Sequence, residues 1–470
     1  MSFRSGTLSY ARFRVFGDGP SAVDETLLDT LARHVVKHPK VGAPQELVAG
    51  WCGGRHVLDD EFPYDETGFG TALLAGMRVD VNRVPAELRR AYRAMAEQER
   101  AAGTETGFLG SAERKAAKEE AERRSAEELA AGRHRRSKLV PLVWSLPRGL
   151  LLAPASGERA TSLLRDLLLR SLSMRLQPRS AGSIAWDLLS ERGLAGDLDD
   201  ALPSAFTAAP VERARRDGAN DGAGRGAPPS RGRRGDSSGG ERPDVPWVAA
   251  GPEPKDFLGN EFMLWLWWLT EVEEGLVETA AFGTVAITID RMLEMDCAWG
   301  VTGRQSLRGD APTRLPEAAK ALQHGKWPRR CGLIVAAGGR TFTLSLQGDR
   351  FAVSGATLPE IDDARSVREI IEQRVERLFE LDDLLVALFD AFLRTRIGSA
   401  WPTVRGAMSE WILRRAAGPT EAPPESTRAI REPRTPSSSV ERRPIAAPVQ
   451  VARTPAPPTR RPRASPPPER

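Results

Sequence analysis

The segment Phe257–Trp268 reads FLGNEFMLWLWW and is apolar on nearly every side. A helix with no polar face has to be covered all round, so this stretch predicts a buried core helix or a subunit interface. Its length rules out the other solvent for such a helix. A membrane span needs about 18 or more consecutive apolar residues, and no window of the chain reaches that. The N-terminal run MSFRSGTLSYARFRVFG also lacks an apolar stretch of signal-peptide length. The expectation is a cytoplasmic protein with no membrane partner. The three cysteines, Cys52, Cys297 and Cys331, are far apart and form no CxxC pair, which argues against a disulfide framework or a cysteine zinc site.

Alternation and helical periodicity place the remaining elements. A strand is expected over Thr7–Phe16, stopped by Gly17-Asp18-Gly19-Pro20. Asp24 is placed to cap a helix over Glu25–Lys37, and Gly50-Trp51 reads as loop. A strand over Thr71–Val81 is followed by a helix from Pro85 to about Arg100 and a second over Ala112–Ala130. Leu139–Trp144 and Gly149–Leu152 form a strand pair. Thr161–Ser171 is a leucine-rich helix, and Ser173–Leu176 a short strand. Beyond residue 255 the pattern gives a helix over Glu261–Glu274, a strand over Gly283–Ile289 and a short helix over Pro316–His324. A β-meander follows in Gly332–Ala337, Thr341–Leu346 and Phe351–Val353. A long helix over Asp363–Arg396, with a break expected near Asp382, closes the body. Clustered strands separated by helices, without steady βαβ alternation, predict an α+β fold.

Two stretches are too poor in large apolar residues to offset their ordering entropy. They are 207–254, rich in Gly, Arg, Asp, Ser and Pro, and 418–470, with ten Arg against five Glu. Four regions are therefore expected: an N-terminal α+β region 1–206, a disordered linker 207–254, a C-terminal α+β region 255–417 and a disordered Pro/Arg-rich tail 418–470.

Tests for catalytic signatures give little. The chain has no GxxxxGK[ST] loop, no HExxH pair and no GxSxG elbow. Gly68-Phe69-Gly70 precedes a strand, where a dinucleotide fingerprint would follow one. His34 with His38, and Cys52 with His56, are spaced to share a metal but lack further ligands. The expectation is a non-enzyme without cofactor or metal. The best enzymatic alternative is a Mg²⁺-dependent nuclease using Asp59, Asp60 and Glu61. Another alternative is a scaffold that presents the basic tail to partners.

The whole chain carries a net charge of only +4, so its distribution matters more than its sum. Ser111–Val140 holds nine basic residues against six acidic ones: Arg114, Lys115, Lys118, Arg123, Arg124, Arg133, Arg135, Arg136 and Lys138. Arg114 and Lys118 lie at i, i+4 on a helix, and Arg133–Lys138 is an uncompensated run suited to phosphate contacts. A second basic candidate is the loop Gly300–Arg308, through Arg304, Gln305 and Arg308. Taken alone, both also read as solvated surface.

The order of segments resembles the RdgC family, the recombination-associated proteins. LLAGMRVDVNRVPAELRRAYRAM, FLGSAERKAAKEEAERR and LVWSLPRGLLLA are similar to the first half of that family. FLGNEFMLWLWW is similar to the FLGxEFLxWLW stretch of its longer members. The likeness covers residues 7–206 and 255–396, while the linker and tail depart from the shorter members. The resemblance implies a horseshoe-like α+β subunit, paired into a ring-shaped homodimer whose basic hole encircles duplex DNA. It implies nucleoid association, DNA binding with little sequence preference, and restraint of RecA filament formation and strand exchange in DNA recombination. Under it, Arg114, Lys115, Lys118, Arg123 and Arg124 contribute a basic DNA-facing helix, Arg133, Arg135 and Arg136 extend it, and Arg304 and Gln305 match a DNA-facing Lys-Gln pair.

Overall fold

A computed structural model describes residues 3–37, 45–104, 107–154, 157–210, 242–361 and 364–416. Most of the expected linker and all of the expected tail lie outside the described residues, as does His38. What is described is α+β, with twelve α-helices and thirteen strands joined in one antiparallel sheet.

The first half runs β1 (Leu8–Phe16), α1 (Glu25–Arg33), β2 (Leu47–Cys52), α2 (Tyr64–Thr67), β3 (Gly68–Phe69) and β4 (Ala72–Asn82). It continues through α3 (Ala86–Ala102), α4 (Ser111–Ala130), β5 (Arg135–Ser145), β6 (Leu150–Ala153), α5 (Glu158–Leu172), β7 (Arg175–Arg179), α6 (Ala181–Ser190) and α7 (Ala195–Asp200). The second half comprises α8 (Pro246–Ala249), α9 (Phe257–Val272), β8 (Leu276–Thr279), β9 (Gly283–Cys297), β10 (Gln305–Gly309), α10 (Pro316–Gln323), β11 (Lys326–Ala337), β12 (Arg340–Gln347), β13 (Ala352–Thr357), α11 (Val367–Ile397) and α12 (Trp401–Ala416).

The main sheet path is β10-β9-β11-β12-β13-β1-β6-β5-β4-β2, and β1 is its joint. Leu8 and Tyr10 pair with Ala356 and Val353 of β13, whereas Ala11–Arg14 pair with Ala153–Leu150 of β6. The opening strand thus stitches the two halves together. Successive side chains of a strand point to opposite faces, and β1 feeds both cores. Leu8 and Tyr10 enter the larger apolar cluster around α9 and α11, while Phe13 and Val15 enter a smaller one beneath α1 and α5.

Helix α9 meets the demand of its sequence. Every residue from Phe257 to Leu269 is buried. Phe262 alone packs against the rings of Trp265, Phe351, Phe389 and Phe392. Its polar members are paired inside the core. Glu261 accepts from Ser204 N–H at 2.6 Å and from Arg396 Nε at 2.6 Å, and Asn260 donates to Pro328 O at 2.9 Å.

Several expectations need correction. Gly50-Trp51 lies in strand β2, not a loop, because it pairs with Arg78 and Met77 of β4, while on the other edge Trp51 N–H donates to His34 O and bridges to Val35. The same contact ends α1 at Arg33, four residues early. Helix α11 runs unbroken through Asp382, whose buried carboxylate pairs with Arg12 Nε on β1 at 2.7 Å. The residues Gln305–Arg308 belong to edge strand β10 rather than to a loop.

Candidate nucleic-acid interface

Helices α3 and α4 are inserted between two strands that pair along eleven residues, from Ala72↔Ser145 to Asn82↔Arg135. The two helices run antiparallel. Tyr92 OH donates to Glu128, and Arg100 pairs with Glu120 at 2.8 Å. Their seam is made of small side chains: Ala96 from one helix, Ala117, Ala121 and Ser125 from the other. Small residues at this spacing allow close approach but bury little apolar area, so polar clamps do much of the fastening. Glu128 is the main clamp. It also meets His134 Nε2 at 2.7 Å, and the hydrogen bonds from His134 and Tyr92 hold its carboxyl below the usual range. Arg124 lies over the Tyr92 ring, 4.5 Å from its centroid. At the base, Asn82 Nδ2 donates to Leu129 O at 2.9 Å.

The basic residues expected on α4 are there and exposed, but several have acidic neighbours. Lys115 faces Glu119 at 3.8 Å, Lys118 faces Glu122 at 3.7 Å and Arg123 faces Glu127 at 3.2 Å. Exposed i, i+4 pairs of this kind hold about 0.3–0.5 kcal/mol each, so a phosphate can displace the carboxylate. Arg114 has no ion-pair partner among the described residues.

The run Arg133–Lys138 departs from expectation. It does not extend the helix. Gly132 adopts a left-handed φ of 68° and ends the turn, after which Arg135, Arg136 and Lys138 lie on β5. Pairing assigns their faces. Arg136 and Lys138 stand opposite Val81 and Val79, whereas Arg135 stands opposite Asn82. The basic run therefore wraps both faces of the strand start instead of forming one stripe. All three are exposed, and among the described residues none has an ion-pair partner. Arg133 sits in the turn, 4.0 Å from Glu128.

The second candidate set lies elsewhere in the same sheet. Arg304 is 3.6 Å from Asp296, and Gln305 accepts from Lys326 Nζ at 3.2 Å. Arg308 is exposed on β10. Strands β10 and β5 are separated by six others along the sheet path, roughly 33 Å at 4.8 Å per strand step. The structure does not merge the two sets into one patch. Lys326, which sequence reading passed over, joins the second set through the pairing Lys326↔Cys297. No local pattern signals that contact.

The acidic run has structural work. Asp59 is buried and receives Arg55 Nη2 at 2.6 Å, Arg55 Nε at 2.9 Å and Arg55 N–H at 3.1 Å. Its oxygens are thereby occupied, while Asp60 and Glu61 are exposed. Among the described residues no group of three or more His, Cys, Asp or Glu side chains is placed to hold a metal ion, and no helix is long and apolar enough to cross a membrane. No protein-family model matches this chain, and no curated protein matches it.

Proposed function

We propose that this protein binds duplex DNA without sequence preference, as a ring-forming homodimer of the RdgC type. In this reading it acts at the nucleoid to restrain RecA filament formation and strand exchange, and it performs no chemistry on the DNA. The observation that carries the reading is the exposed trio Arg135, Arg136 and Lys138. It lies at the root of a charged helical hairpin and has no acidic partner among the described residues. Arg114, Lys115, Lys118, Arg123 and Arg124 add displaceable cations along that hairpin, with Arg133 in the turn beneath it.

Such an arrangement suits phosphates rather than bases. Neutralising backbone charges releases condensed counterions, which makes affinity steeply salt-dependent and sequence-blind. The separation of the hairpin set from Arg304, Gln305, Lys326 and Arg308 also fits an encircled ligand, since a duplex held in a ring is touched from several sides. The test is binding to unrelated linear and closed-circular duplexes across a salt series with Mg²⁺ present. Salt-sensitive, sequence-independent binding that lasts longer on circles supports the reading. Cleavage of the DNA would replace it with the nuclease alternative.

A further inference from the structure

Among the described residues, strand β7 pairs only with β1, through Arg12↔Arg179 to Phe16↔Arg175. Val15 N–H donates to Gly149 O at 2.7 Å, which turns the odd-numbered backbone groups of β1 toward β6. In an antiparallel ladder, residues alternate in the side to which their N–H and C=O point. The even-numbered groups of β1 therefore face β7, and Arg175, Gln177 and Arg179 answer them. The N–H and C=O of Leu176 and the C=O of Pro178 are left pointing outward, with no hydrogen-bond partner among the described residues.

A groove of about 520 Å³ follows this edge, with Phe16, Leu169, Met174 and Leu176 in its lining and Arg165 and Arg175 beside them. Phe16 is 39% exposed and Leu169 54%, large values for side chains of this kind beside a free strand edge. Both arginines are exposed and lack an acidic partner among the described residues, unlike Arg14 and Arg179 nearby, which share Asp187. A second cleft of about 380 Å³ begins at the same Gln177 and Pro178 and reaches Trp186.

We propose that the outer edge of β7 is a docking site for an extended segment of another protein in which acidic and apolar residues alternate. The segment adds as a further strand. Main-chain bonds to Leu176 and Pro178 set its register, its apolar side chains fill the groove beside Leu169 and Leu176, and its carboxylates, on the opposite face, meet Arg175. Pro178 has no N–H to offer, so the ladder is short and the side chains carry the selectivity. A single-stranded nucleic acid fits less well. Stacking needs open aromatic faces, whereas Leu169, Met174 and Leu176 build an aliphatic slot. The site stands apart from the basic hairpin, so its fate and that of the DNA-binding reading are independent.

The experiment is fluorescence anisotropy of the full chain with a fluorescein-labelled octapeptide of alternating glutamate and leucine. Saturable binding is expected, weakened about tenfold or more by Leu169→Glu with Arg175→Glu. A copy of the peptide N-methylated at alternate residues should lose as much, and a lysine–leucine counterpart should not bind. Duplex affinity and the unfolding midpoint of the double variant should stay unchanged. If that variant unfolds, Arg175→Glu alone carries the comparison. Equal binding by the variant or by the N-methylated peptide overturns the proposal, as does a labelled oligothymidine that binds at this edge where the peptide does not.

Discussion

Helices α9 and α4 are both long and both internal to the chain, yet they are held in opposite ways. Thirteen consecutive residues of α9 are buried, and its side chains lock into aromatic neighbours on several elements. Helix α4 buries only Ala117, Ala121 and Ser125, and among the described residues its main partner is helix α3. An all-apolar helix has its position dictated by everything around it, and little of it is free to act. A helix fastened by alanines and a few clamps turns nearly all of its charge outward. The contrast separates the part of the molecule that makes the fold from the part that is available for ligands.

The contrast is sharpest in stability. Phe262→Ala in the α9 core is expected to cost about 3–5 kcal/mol, read as a shift in urea midpoint. Lys118→Ala on α4 is expected to change stability by less than about 0.5 kcal/mol in the same assay. Breaking the joint between the halves should rival the core substitution. Arg12→Leu strands the buried Asp382 carboxylate and should cost about 3–5 kcal/mol, whereas Arg12→Met with Asp382→Leu should recover most of it, because the apolar pair no longer requires desolvated charge.

Asp256, just before α9, gives a pH-dependent version of the same comparison. Burial pushes its carboxyl up to about 7 from 3.8, against the opposing hydrogen bonds from Ser180 and Gly182 N–H. The folded state holds a proton that the unfolded chain releases. The stabilisation is complete below about pH 3.8 and is lost as pH rises through 7. Relative to Asp256→Asn, the wild type should lose on the order of 4 kcal/mol between about pH 4 and pH 8, measured by denaturant titration at each pH. An unchanged difference between the two proteins would remove Asp256 as the source.

A modest effect is expected from the clamp inside the hairpin. Tyr92→Phe deletes the hydroxyl that donates to Glu128 and should lower the urea midpoint only slightly. Amide exchange should quicken across α3 and α4 while β9 and β11 stay protected, since the hairpin opens locally. Uniform acceleration everywhere would mean that the hairpin and core unfold as one unit.

Where sequence reading succeeded, the information was local. The alternation in β1, the apolar run of β4, the capping Asp24 that accepts from Leu27 N–H, the meander of β11 to β13 and the apolar α9 all carry their signal within a few turns or strand repeats. The failures are non-local. Strand β2 was hidden by Gly50, a residue required because a Cβ there would come within 2.5 Å of Val36 N. Asp382 looked like a helix break, yet its partner Arg12 is remote in sequence. In α6 the opening Ala181-Gly182-Ser183 carries little helical pattern, and Gly182 is held by Asp256 from the other half. The candidate site divides the same way. Basic residues were legible one by one, but their placement depends on the β4–β5 ladder, which puts Arg135 on one face and Arg136 with Lys138 on the other.

The central claim is that the exposed cations at the hairpin root hold duplex DNA through its phosphates. The direct measurement is the salt dependence of affinity for two unrelated duplexes, comparing the wild type with Arg135→Glu, Arg136→Glu and Lys138→Glu combined. The account predicts weaker binding to both sequences alike. It also predicts a log–log salt slope shallower by about 0.9 for each phosphate that is no longer neutralised, or about 2.7 if all three cations take part. Unchanged affinity and slope in the triple variant would contradict it.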